Sequence, residues 1–255
     1  MRGLEGKVVV VTGGAGGIGS ETCRRFAEAG AAVAVLDRDE AAARTLAERI
    51  AGTGASGVAV GVDLTDLPAT QAAVAEVEEA LGPIDVLINN AGWDVFTPFL
   101  KSEPDFWAKI IDINLRGVLN VTHPVLSRMA ERGSGRIVSI ASDAARVGSS
   151  GESVYAACKA GLIALSKTLA REHARQGITF NVVCPGVTAT DMLEVFLEGA
   201  GDKEKLRTAF TRAVPMGRLG RPEDVPGAIL FFASDDAAFI TGQVISVSGG
   251  LTMHG

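Results

Sequence analysis

Short runs of β-branched and small apolar residues alternate along the chain with stretches in which Ala, Leu and Glu recur at helical spacing. "KVVVVT" (7–12) is followed by a helical stretch at 17–29, "AAVAVLD" (31–37) by 39–51, "GVAVGVD" (57–63) by 66–81, and "IDVLINN" (84–90) by 104–131. "RIVSIAS" (136–142) precedes 152–175, and "ITFNVVCPG" (178–186) and "QVISVSGG" (243–250) complete the set. Seven strands alternating with helices predict an α/β fold whose parallel sheet is covered on both faces. Two architectures compete. A barrel of eight βα units needs one more unit, whereas a doubly wound Rossmann sheet needs a glycine-rich first turn and a switch point where a ligand sits. The first turn decides for the doubly wound sheet.

No repeat, low-complexity tract or Pro/Ser linker divides the 255 residues, so the whole chain is expected to form one dinucleotide-binding and catalytic domain. The regular alternation is interrupted at 187–213, "VTATDMLEVFLEGAGDKEKLRTAFTRA". Lying after strand six, it is expected to form two short helices that serve as a lid over the ligand crevice, or else plain surface helices.

"TGGAGGIG" (12–19) separates the first strand from the first helix, with Gly13, Gly17 and Gly19 spaced as T-G-x-x-x-G-x-G. Missing side chains let such a turn approach a pyrophosphate, and the helix N-terminus behind it supplies free N–H donors and a positive dipole end. Asp37 closes the second strand, where a carboxylate accepts hydrogen bonds from both ribose hydroxyls of an adenosine. A 2′-phosphate there meets a like charge, so Asp37 favours NAD over NADP, while Arg38 next to it pulls the other way. Asp63 ends the third strand. It is either an acceptor for the adenine amino group or a turn acid before helix 66–81.

The chain's one tyrosine, Tyr155, precedes Lys159 by four residues, which places both on one face of a helix. A free phenol titrates near pH 10, so proton exchange at pH 7 to 8 requires a shift costing about 3–4 kcal/mol. One lysine cation at ~4–5 Å in an effective dielectric near 20 supplies about that much. An oxidised nicotinamide, itself cationic, would add to it. Ser142, thirteen residues upstream at the end of the fifth strand, offers a hydroxyl for a substrate oxygen. Asn114 is a poor choice for the interior of helix 104–131 unless its amide has an assignment, such as anchoring a water chain to Lys159.

Together "TGGAGGIG", "NNAG" (89–92), Asn114, Ser142, "YAACK" (155–159) and "PG" (185–186) resemble the short-chain dehydrogenase/reductase family over nearly the whole chain. The resemblance implies that Tyr155 is the general acid/base, that Lys159 lowers its pKa and binds the nicotinamide ribose, that Ser142 orients the carbonyl, and that Asn114 maintains a proton relay. It places Gly13, Gly16, Gly17, Ile18 and Gly19 around the pyrophosphate and Asp63 and Leu64 near the adenine. Asn90, Ala91 and Gly92 fall beside the adenine ribose, and Pro185, Gly186 and Thr188 near the nicotinamide. It further implies a homotetramer built through 104–131, 152–175 and the C-terminal segment.

Four stretches, among them "NNAGWDVFTPF" and "IASDAARVGSSGESVYAACKAG", are similar more narrowly to dehydrogenases of 2-hydroxycyclohexanecarboxyl-CoA. That likeness implies oxidation of a cyclic 2-hydroxyacyl-CoA, with a 3-oxoacyl-thioester reductase or another secondary alcohol dehydrogenase as the alternative. A non-catalytic dinucleotide sensor is the alternative of another class, against which Ser142, Tyr155 and Lys159 argue. Trp93, Phe96 and Phe99 would either wall a ring or pack in the core. Lys203, Lys205, Arg207 and Arg212, with Arg146, would either meet CoA phosphates or form a solvated face.

Composition narrows the remaining classes. Charged residues make up 21% and the net charge is −6 with both signs interspersed, so nucleic acid is not an expected partner. The apolar runs fall far short of the roughly 20 residues of a membrane span, and the N-terminus enters the glycine turn too early for a signal peptide, which points to the cytoplasm. Cys23, Cys158 and Cys184 are scattered, as expected of reduced thiols, and His123, His173 and His254 share no ligand spacing, so no metal site is expected.

Overall fold

A computed structural model describes residues 1–198 and 202–253; His254 and the middle of the 187–213 segment lie outside the described residues. The seven strands are β1 (Val8–Thr12), β2 (Ala32–Asp37), β3 (Gly57–Gly61), β4 (Val86–Asn89), β5 (Gly135–Ile140), β6 (Ile178–Pro185) and β7 (Val244–Val247). All pair in parallel in the order β3-β2-β1-β4-β5-β6-β7. The order reverses between β1 and β4, which opens a crevice at their C-terminal ends.

Strand alternation sorts the valines. Val9, Val11, Val33, Val35, Ile88 and Val138 pack with Phe26 and Ile229 on one face, while Val8, Val10, Ala34, Leu36, Leu87 and Ile137 pack with Val74, Val121 and Met129 on the other. The first face is covered by α1 (Gly17–Glu28), α2 (Glu40–Ala51) and α10 (Pro226–Ala233); the second by α3 (Leu67–Leu81), α5 (Gly117–Arg132) and α7 (Ser153–His173). The remaining helices are α4 (Pro104–Ile111), the short α6 (Ala144–Val147), and the pair α8 (Asp191–Glu198) and α9 (Lys203–Ala213). The doubly wound sheet and the two short helices after strand six are therefore as expected.

Three local expectations need correction. β5 stops at Ile140, so Ser142 stands two residues past the strand in the turn that leads into α6. β3 likewise stops at Gly61, leaving Asp63 in the following turn. The long helix expected over 104–131 is two α-helices joined by a π-helical turn, Asp112–Arg116, with Asn114 at its centre. The cause is visible. Asn114 Nδ2 donates to the Ile110 carbonyl at 2.9 Å, four residues back, which is the acceptor an α-helical N–H would claim.

Candidate active site

The glycine turn is shaped by contact. Gly13 has φ +60°, and a Cβ on Gly19 would lie 2.1 Å from the Gly13 carbonyl oxygen, so neither position accepts a side chain. Asn90 Nδ2 clamps the turn by donating to the Thr12 and Gly13 carbonyls at 3.0 and 2.9 Å. Thr12 Oγ1 accepts the backbone N–H groups of Asn90 and Ala91 and donates to the Ile88 carbonyl. This threonine carries no role in the sequence reading, yet it ties β1 to β4 at the reversal point.

Behind the turn, α1 begins at Gly16 without any side-chain cap, whereas α2, α3 and α9 are capped by Asp39, Asp66 and Asp202. An uncapped helix start beside a glycine turn leaves N–H donors directed at the crevice, which suits a pyrophosphate. Asp37 Oδ2 accepts the Ala15 N–H at 3.0 Å and its Oδ1 accepts that of Asp39, which fixes the carboxylate at the crevice wall. Asp63 is a turn acid. Its Oδ1 accepts from both the backbone and hydroxyl of Thr65, which holds the carboxyl below its ordinary pKa, with Arg38 adding to the effect. The donor set, the side-chain-free turn and the fixed carboxylate together fit a dinucleotide.

The crevice is a cleft of about 680 Å³. Every binding or catalytic residue expected from the sequence lines it except Asn114, which stands behind Gly92. A Cβ on Gly92 would lie 3.1 Å from both Asn114 Oδ1 and Lys159 Nζ, so the glycine lets those groups face each other. Asn114 grips the loop after β4, accepting the Trp93 N–H at 3.1 Å and donating to the Trp93 carbonyl at 2.8 Å. Lys159 is 2% exposed and donates to the Ile140 carbonyl at 2.9 Å, a bond that anchors the ammonium to the end of β5.

The electrostatics around Tyr155 differ from expectation. Burial pushes the phenol well above its ordinary pKa; the carboxyls of Glu152 and Asp94 push it further, and the Ser142 hydroxyl beside it acts the other way. Lys159 lies 5.6 Å from the ring centroid, and burial lowers its own pKa to about 8 against the opposing pull of Cys158, Cys184 and Asp94. The phenol's surroundings are thus set by its desolvation and by two acids, Glu152 and Asp94, to which the sequence reading gives no role. Asp94 follows "NNAG" closely, and Glu152 precedes Tyr155 by three residues, a spacing that puts it on the same helical face.

Away from the glycine turn the cleft carries an apolar wall. Trp93 lines it with Leu193, Phe196 and Phe210 of α8 and α9, and Lys109 Nζ sits 3.8 Å above the Trp93 ring. Phe96 does not reach the cleft; it packs edge-on against Phe196 of α8 at 5.3 Å. Phe99 is exposed and stacks on Trp107, so neither is a ring wall. Arg146 donates to Ser246 Oγ at 2.9 Å rather than facing the mouth. Lys203 and Arg207 both pair with Glu194, which ties α9 to α8, while Lys205 and Arg212 border a shallow outer groove.

The family model described as enoyl-(acyl carrier protein) reductase matches residues 13–252. The chain is 42% identical to an acetoacetyl-CoA reductase of Rhizobium meliloti over 247 residues, covering 96% of this chain and 98% of the relative. Among solved structures it is similar to levodione reductase, with TM-score 0.93, 31% identity and coverage of 96% and 97% of the two chains. It is also similar to the 3-ketoacyl-(acyl-carrier-protein) reductase of Brucella melitensis complexed with NADH, with TM-score 0.89, 32% identity and coverage of 98% and 100%. These likenesses set aside the reading as a non-catalytic sensor. The chain belongs to the short-chain dehydrogenase/reductase family and is an oxidoreductase acting on a CH–OH group or its ketone with a nicotinamide dinucleotide.

Proposed function

We propose that the protein interconverts a 3-oxoacyl thioester and its 3-hydroxy form, with NAD as the preferred dinucleotide. The observation that carries the chemistry is the buried Tyr155 phenol, set beside Ser142 at the end of β5, with Lys159 anchored below it. The substrate class is supported by the relatives that act on acetoacetyl-CoA and 3-ketoacyl-acyl carrier protein. NAD is supported by Asp37, whose fixed carboxylate at the end of β2 opposes a 2′-phosphate.

When bound, the nicotinamide supplies the hydride in reduction and accepts it in oxidation. Ser142 Oγ holds the substrate oxygen. Tyr155 Oη donates its proton to that oxygen as the ketone is reduced, and receives it in the reverse direction. Burial and the two neighbouring acids favour the protonated phenol, the form that reduction consumes. Lys159 positions the ribose, and Asn114, facing it across Gly92, keeps the relay and the Trp93 loop in register. A placed general acid contributes about 10²–10⁴-fold.

A second reading, oxidation of a cyclic 2-hydroxyacyl-CoA, is favoured by the apolar wall of Trp93, Leu193, Phe196 and Phe210. In both readings 187–213 serves as the substrate lid of a single catalytic domain. A cytoplasmic homotetramer is the proposed form, supported by exposed apolar residues on the expected interfaces, including Leu119, Ile245 and Phe239, and by three free, buried cysteines. The test compares kcat/KM for acetoacetyl-CoA and 2-oxocyclohexanecarboxyl-CoA with NADH and NADPH. Preference for the acyclic thioester and NADH is expected; turnover of the cyclic ester alone overturns the first reading.

A further inference from the structure

Two acids stand where a substrate would meet Tyr155. Asp94 is 4% exposed, and its Oδ2 has no hydrogen-bond partner among the described residues. Glu152, half-buried at the start of α7, lines the same cleft, and both carboxyls lie within electrostatic reach of the phenol. Catalysis by Tyr155 needs neither acid, and each opposes formation of the phenolate. Their retention at the reacting centre calls for another role.

We propose that Asp94 and Glu152 form an acidic wall that rejects a carboxylate beside the reacting carbon, so that the enzyme takes the uncharged thioester or ester and refuses the free 3-oxo acid. The proposal rests on the 3-oxoacyl reading above. A free 3-oxo acid places a full negative charge two carbons from the ketone, whereas the thioester places none there. In a desolvated site a like charge at ~6 Å weakens binding about 10- to 100-fold. The cations offset this only in part: Lys159, tied to the Ile140 carbonyl, is one charge against two acids, and Lys109 is exposed at the mouth above Trp93.

The wall is also pH-dependent. Burial and Glu152 push the Asp94 carboxyl up to about 7, against the Val95 N–H and Lys159, which pull it down. Burial raises Glu152 as well, with Ser149 opposing. The other groups facing Asp94 are Tyr155 and Cys158 of α7; both are raised by burial, and both are neutral at these pH values. Rejection therefore strengthens as pH rises through 7. The anionic substrate itself stays ionised throughout, since ordinary carboxyls titrate near 4.

The experiment measures kcat/KM for acetoacetyl-CoA, ethyl acetoacetate and acetoacetate at pH 6 and 8.5 in the wild type, Asp94→Asn, and the Asp94→Asn/Glu152→Gln double variant. In the wild type the ester-to-acid ratio is expected to rise about 5-fold or more between the two pH values. Asp94→Asn should flatten that rise, and the double variant should lower the ratio at pH 8.5 by about 10-fold or more. Because both substrates use the same Tyr155, a general loss of activity or folding moves them together and leaves the ratio alone. A double-variant ratio within 2-fold of the wild type overturns the proposal. Ester-over-acid discrimination without turnover of acetoacetyl-CoA leaves the wall standing and sinks the thioester reading instead.

Discussion

The two halves of the cleft are built by different means. On the nucleotide side, between β1 and β2, the work is done by backbone: a turn that excludes side chains at Gly13 and Gly19, an uncapped α1, and carbonyls clamped by Asn90. On the substrate side it is done by side chains from segments far apart in the chain, including Trp93, Asp94, Glu152 and Phe196. Backbone recognition tolerates few sequences, because one added methyl group blocks it. Side-chain recognition tolerates many, because the same wall can be built from different positions.

The sharpest way to test the contrast is to damage each half separately. Tyr155→Phe should lower kcat by about 10³-fold or more while leaving dinucleotide affinity within about 3-fold, measured by steady-state kinetics and by quenching of protein fluorescence on titration with NADH. Gly19→Ala should do the opposite, weakening dinucleotide binding about 100-fold, because its Cβ lands 2.1 Å from the Gly13 oxygen. Gly227→Ala, whose Cβ would meet nothing within 4 Å, is the control and should be neutral or slightly stabilising. Asp37→Ser should shift the NADPH-to-NADH ratio of kcat/KM by about 10-fold in favour of NADPH, and an unchanged ratio would remove Asp37 from cofactor choice.

Stability gives a smaller signal. The folded Asp94 carboxyl keeps its proton up to about pH 7, whereas the unfolded one releases it near 3.9, so the folded state loses stability as pH rises from 4 through 7. Asp94→Asn removes this dependence and should gain on the order of 2 kcal/mol over the wild type at pH 8 relative to pH 5, read from urea titrations at both. The least effect belongs to the α8–α9 pair. Glu194→Gln frees Lys203 and Arg207 from their shared partner and should change KM about 2- to 3-fold with kcat nearly constant.

Legibility in the sequence followed the same division. The seven strands are legible because the short apolar runs of β1, β2 and β4 alternate with helical stretches, and the glycine turn because its spacing admits little else. Ser142, Tyr155, Lys159 and Asn114 were identifiable as residues, but their surroundings were not. Ser142 lies past the regular β5–β6 register, which ends at Ile140, although the Asp143 N–H still reaches the Pro185 carbonyl; Asp143 accepts from Ser246, which in turn holds Arg146 inward. Phe96 stands behind the cleft wall, packed on Phe196, and Phe99 turns away from it to stack on Trp107. The sequence shows the cation four residues from the phenol, whereas the burial and the two acids that raise its pKa are brought in by the fold.

The π turn at Asp112–Arg116 has a bearing on any attempt to re-engineer this molecule. One residue beyond the α-helical count turns all later positions by about 100° around the axis. Val121, Val125 and Met129 meet the sheet only with that offset in place. Deleting a residue between 112 and 116 should rotate this apolar stripe toward solvent, and a transplanted α5 will seat correctly only if the turn travels with it.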